Sequence, residues 1–98
     1  AMARWIIGAG RLDLVVANAG ISAGTGDRTE PGRVARAVFE TNVTGVLNTA
    51  LPALDAMATQ SPDANGIRGR IAVIASVAAF VAAPGAPAYC ASKAAVQR

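Results

Sequence analysis

Along this chain the spacing of apolar positions switches several times, and each switch marks a new element. Met2, Trp5 and Ile6 recur at helical spacing before Gly8 and Gly10 interrupt them, so residues 2–7 read as the end of a helix. Within LDLVVANAG, the run from Leu12 to Ala17 is apolar at nearly every position and partly β-branched. That is the pattern of a strand buried on both faces of a parallel sheet. It ends in Asn18-Ala19-Gly20 and the small-residue loop ISAGTGDRTE. From about Pro31, a residue suited to a first helical turn, a long helix is predicted with the stripe Val34, Val38, Val46, Ala50, Leu54, Met57. TQSPDANGIRG is a loop by composition, RIAVIAS a second buried strand and VAAFVAAPGAP a loop, and a final helix is predicted from near Ala88.

Helix end, strand, helix, strand and helix start form a parallel βαβ unit with a crossover helix. Two strands cannot make a stable parallel sheet covered on both faces. The predicted class is α/β, and residues 1–98 are expected to be an internal piece of one doubly wound domain, truncated at both ends.

Composition excludes several function classes. The chain is 53% hydrophobic, 4% aromatic and 15% charged, which is not the composition of a disordered segment. The net charge of +3 comes from scattered basic residues without a run or aromatic interleaving, so no nucleic-acid partner is expected. The opening AMARWIIGAGR is too short and wrongly flanked for a signal peptide. The longest apolar segments stop short of a membrane span, so a cytoplasmic location is expected. With no histidine, one cysteine and no carboxylate cluster, no metal site and no internal disulfide are expected. Cys90 lacks a basic partner and reads as a small packing residue, as does Trp5 on a larger scale. Asn42-Val43-Thr44 matches a glycosylation acceptor but falls on a helix stripe, and Arg28 and Arg33 read as solvated charge.

Candidate chemistry lies in PAYCASKAAVQR, where Tyr89 precedes the only lysine, Lys93, by four residues. On a helix the two side chains share a face. A phenol ordinarily titrates near ~10, and a neighbouring ammonium favours its ionised form, which suits general acid–base work on an alcohol or carbonyl. The same spacing also describes many solvated helix faces. Small residues around the pair (Ala91, Ser92, Ala94, Ala95) would let the helix pack closely.

Other polar groups converge on the same place. Ser76 ends the second strand, and Asn18 and Gly20 end the first, at the edge where open parallel sheets bind ligands. Asn42 falls between Val38 and Val46 on the apolar stripe and should point inward. TNVTG around it is poor helix sequence that invites a local distortion.

ANAG ending a strand, TNVTG in the next helix, a serine ending the following strand and YCASK thirteen residues later together resemble the short-chain dehydrogenase/reductase family. The resemblance runs over nearly the whole chain. It implies a partial Rossmann-type sheet, NAD or NADP as cofactor, and interconversion of a small-molecule alcohol and carbonyl. By that resemblance Tyr89 is the acid/base, and Lys93 assists it and binds the nicotinamide ribose. Ser76 holds the substrate oxygen, and Asn42 distorts the helix and positions a water leading to Lys93. Asn18, Ala19 and Gly20 border the adenosine part of the cofactor, and the complete protein is a homo-oligomer.

The family's TGxxxGxG turn is missing, and neither GAGRLD nor GTGDRT replaces it. Ala17 stands at the first position of the usual NNAG. The 98 residues alone are therefore expected to bind cofactor weakly and to be inactive. A non-catalytic Rossmann-fold binding protein and an inactive truncated product are the alternatives, and the intact Asn42, Ser76, Tyr89, Lys93 set argues against the first.

Overall fold

The computed structural model describes residues 2–22 and 32–98. The loop GTGDRT, Arg28 and the predicted helix start at Pro31 lie outside the described residues. Helix α1 spans Met2–Gly8 and strand β1 Leu14–Ala17. The predicted long helix is three consecutive pieces: α2 (Gly32–Phe39), a π-helical segment (Glu40–Thr44) and α3 (Gly45–Ala58). Strand β2 (Arg70–Val73) comes next, then a 3-10 turn (Val77–Ala79) and helix α4 (Pro87–Gln97), which Pro87 opens with its preset φ.

The two strands pair in parallel with Leu14 opposite Arg70 and Ala17 opposite Val73. Backbone bonds from Arg70 N–H to the Asp13 carbonyl (3.0 Å) and from Ile74 N–H to the Ala17 carbonyl (3.1 Å) extend the ladder at both ends. Gln60, at the end of the crossover helix, holds the entry to both strands. Its Oε1 accepts from Leu12 N–H (2.6 Å), and its Nε2 donates to the carbonyls of Leu12 (2.9 Å) and Arg68 (2.6 Å).

Ile6, Leu12, Ala53 and Met57 form the buried core, with Val15, Ala56 and Ile71 packed against it. A buried side chain of the size of Ile6 or Met57 contributes about 1.5–3 kcal/mol over leaving it in water. This core lies on one face of the sheet only. Leu14 and Val16, which point to the other face, are 59% and 47% exposed within these 98 residues. Helices α1 and α3 pack together on the Val15 side.

Trp5 is 68% exposed within these 98 residues, and the inward position of α1 belongs to Ile6. On α3 the buried positions are Ala53 and Met57, and Leu54 is exposed. Ala53 and Met57, four residues apart, share the inward face, and Leu54 falls beside it. Among the described residues no helix is long and apolar enough to cross a membrane.

Candidate active site

Asn42 occupies the middle of the π segment and is 1% exposed. The β-branched Thr41, Val43 and Thr44 around it are weak α-helix formers, and Gly45 N–H reaches back to the Glu40 carbonyl, the wider rung of a π turn. The distortion expected from TNVTG is therefore present at that place. Every hydrogen-bonding group of the amide is engaged: Oδ1 accepts from Ile21 N–H (2.8 Å), and Nδ2 donates to the Ile21 carbonyl (2.9 Å) and to Ser92 Oγ (3.0 Å). Asn42 thus clips the segment after β1 to helix α4.

Helix α4 presents three polar side chains to this place. Ser92 is fully buried, and its hydroxyl donates to the Tyr89 carbonyl at 2.8 Å. Lys93 is only 5% exposed, and its Nζ donates to the carbonyl of Ile74, one residue past β2, at 2.8 Å. The same Nζ lies 5.9 Å from the centroid of the Tyr89 ring, within reach of a cation–π attraction. An ammonium carries three N–H donors, and Ile74 supplies the hydrogen-bond acceptor found among the described residues. The lysine can therefore take acceptor oxygens from a bound molecule.

Gly20 brings the end of β1 against this group. A Cβ there would stand 3.3 Å from Lys93 Nζ and 3.5 Å from Asn42 Oδ1. Ser76 lies just past β2 and caps the 3-10 turn, its Oγ accepting from Ala78 N–H at 3.2 Å. That leaves the hydroxyl hydrogen without an acceptor among the described residues. The 3-10 turn packs on α4, but no hydrogen bond among the described residues joins Ser76 to Tyr89. Asn18 and Ala19 are exposed at the end of β1, beside a small cavity shared with Gly45 and Thr49, and make no hydrogen bond to the Asn42 network. Cys90 is half-buried with Ala83 N–H directed at its Sγ (3.4 Å). A broader groove between α1 and α3, lined by Ile7, Leu51 and Pro52, contains none of these residues.

The structure therefore unites Gly20, Asn42, Tyr89 and Lys93, and sets Ser76, Asn18 and Ala19 on the same edge without bonding them to that group. Ser92 and the Ile21 backbone were not expected. The available signal was a small polar residue three positions after Tyr89, on the inward side of its helix.

Comparison with known proteins gives a consistent answer. The family model described as short chain dehydrogenase matches residues 1–98. An uncharacterized oxidoreductase of Myxococcus xanthus is 40% identical over 86 residues, which is 88% of this chain and 32% of that protein. Acetoin dehydrogenase from Salmonella typhimurium superposes with a TM-score of 0.79 at 32% identity, over 97% of this chain and 36% of that one. A gluconate 5-dehydrogenase from Burkholderia cenocepacia, solved in complex with NADP and tartrate, superposes with a TM-score of 0.78 at 31% identity, over 99% and 36%. The chain spans about a third of the length of these relatives. With a partial Rossmann-like sheet, its strand ends facing the Tyr89 helix, and a family match from end to end, the chain belongs to the short-chain dehydrogenase family.

Proposed function

We propose that the complete protein is an NAD(P)-dependent oxidoreductase that interconverts a small-molecule alcohol and a carbonyl. One observation carries the reading: the buried Lys93 Nζ is anchored on the Ile74 carbonyl beside the Tyr89 ring at the strand ends, with N–H donors beyond that bond not used by other described residues. Those donors suit the hydroxyls of a nucleotide ribose, and the absent Cβ of Gly20 keeps the approach open. A dinucleotide therefore fits the residues present. Asn18, Ala19 and Gly20 are assigned to its adenosine side, and Lys93 with Tyr89 to its nicotinamide side. When bound, the dinucleotide supplies or accepts the hydride.

The chain's own residues handle the oxygen and the proton. Tyr89 gives its phenolic proton to the carbonyl oxygen in reduction and takes it back in oxidation. Lys93 stabilises negative charge that develops on the phenol oxygen. Ser76, with a hydroxyl hydrogen to donate, holds and polarises the substrate oxygen. Asn42 keeps the π segment in place and, with its amide held by Ile21 and Ser92, orders through its backbone a water on the route from Lys93 to solvent. The complete protein is a homo-oligomer in this reading. The stripe of Leu47, Leu51 and Leu54, exposed at helical spacing on α3, is a surface that association would bury.

The test is oxidation of NADH and NADPH by the full-length protein over a panel of ketones and aldehydes. Tyr89→Phe is expected to lower kcat about 10²–10⁴-fold with cofactor affinity nearly unchanged, whereas Lys93→Ala lowers both. Equal turnover by Tyr89→Phe and the parent would sink the mechanism. Dinucleotide binding without turnover on any carbonyl would point to the non-catalytic binding protein instead.

A further inference from the structure

Ser92 takes no part in the proton or hydride steps above, yet it is 0% exposed and both of its hydrogen-bonding capacities are used. Its single hydroxyl hydrogen goes to the Tyr89 carbonyl (2.8 Å), so Oγ meets Asn42 Nδ2 (3.0 Å) with a lone pair. The bonds have a defined sense, from Asn42 N–H to Ser92 O–H to the Tyr89 carbonyl. A flipped Asn42 amide would set Oδ1 against that lone pair, and would also face the Ile21 N–H that now donates to Oδ1. Ser92 and Ile21 thus fix the amide from opposite ends.

A serine that bonds back to a carbonyl of the previous turn is common in helices. What is not generic is the second partner, an amide fifty residues away in the chain, buried with it. Through Asn42 the connection continues to Ile21, next to the Gly20 position that faces Lys93. At the other end it holds the backbone of Tyr89 itself.

We propose that Ser92 is a positioning residue, coupling the Asn42 π segment to the helical turn that carries Tyr89 and Lys93. Its kinetic consequence rests on the oxidoreductase reading; its structural consequence does not. Ser92→Ala removes the link and leaves a strong helix former, so α4 persists. In the full-length protein, Ile21 N–H is expected to exchange at least about tenfold faster in Ser92→Ala, because the Asn42 amide is no longer held. The kcat is expected to fall about 10–100-fold, with KM for carbonyl and cofactor within about threefold of the parent, since orientation and not binding is lost. In an Asn42→Ala background, Ser92→Ala should add little further loss, as two members of one network are not additive.

Parent-like exchange at Ile21 overturns the proposal. So does parent-like kcat in an active enzyme, or an equal loss of kcat from Ser92→Ala with and without Asn42. If the parent protein reduces nothing, the oxidoreductase reading falls by itself. Exchange at Ile21 then still decides the coupling, upholding it if faster in Ser92→Ala and overturning it if unchanged.

Discussion

At the scale of single residues, the site depends on a missing atom as much as on present ones. Gly20 has no Cβ where one would stand 3.3 Å from the Lys93 ammonium, a distance closer than an unstrained contact. Gly20→Ala should displace Nζ by a few tenths of an ångström from its bond to Ile74. If Lys93 works as proposed, the expected result is about a tenfold loss of kcat, because misplacing a group beside the reacting atoms by such amounts is costly, with a change in Tm of only a few degrees. Steady-state kinetics and a melting curve check it, and unchanged kcat would show that Lys93 has slack. The same logic governs how legible the site residues were. Asn42 was readable because a polar amide interrupts an apolar stripe, and the Tyr89–Lys93 spacing because one helix turn sets it. Ser92 was hidden, since a serine among alanines in a helix is ordinary until a distant partner is known to reach it. Trp5 is large enough to suggest burial, and within these 98 residues α1 turns Ile6 inward beside it.

At the scale of elements, the order of strands and helices was readable because strand runs and helix stripes have different periods. The π segment was readable as a distortion, but the inward face of the helix after it was not. That face runs through Ala53 and Met57 and leaves Leu54 beside it, and no residue type announces that. Met57, on that face, packs against Gly69 just before β2. A Cβ at Gly69 would overlap the Met57 side chain, with Cγ at 2.6 Å, and Met57 is only 5% exposed. Gly69→Ala is therefore expected to destabilise the fold by about 1–3 kcal/mol, measured by denaturant unfolding of the full-length protein. The loop before it carries a charge effect. Asp63 accepts backbone N–H bonds from Ile67 (3.0 Å) and Asn65 (2.8 Å), and these, Ile67 first, hold its carboxyl below the ordinary value. With the folded value depressed, this ordering is fully present above the unfolded value of ~3.9 and is lost as pH falls through the lower folded value. The Ile67 amide resonance should then titrate with a midpoint below that of a free aspartate. A midpoint at or above it would mean the loop is not held by the carboxylate.

At the scale of the whole molecule, the fold is a thin plate. Its extents are 51 × 27 × 15 Å with a radius of gyration of 16.0 Å, against about 13 Å for a compact chain of this length. The excess arises from the layers, since α1 and α3 cover the Val15–Ile71 face of two strands and leave Leu14 and Val16 open on the other. Trp5, Ile7, Leu47, Leu51 and Leu54 add exposed apolar surface on the helical side. A two-stranded parallel sheet covered on one face stands below what usually makes an independent unit. Exposed apolar side chains in this number are rarely left in water by a monomer where they adjoin. These 98 residues, made as a polypeptide by themselves, are therefore expected to bind a hydrophobic dye, to self-associate and to melt over a broad range without a sharp transition. Sedimentation, dye fluorescence and calorimetry would measure this. A monomer with a cooperative melt and no dye binding would mean that the Ile6, Leu12, Ala53, Met57 core suffices without a second layer on the sheet. The Asn42–Ser92–Tyr89 network could then be studied in the small polypeptide directly.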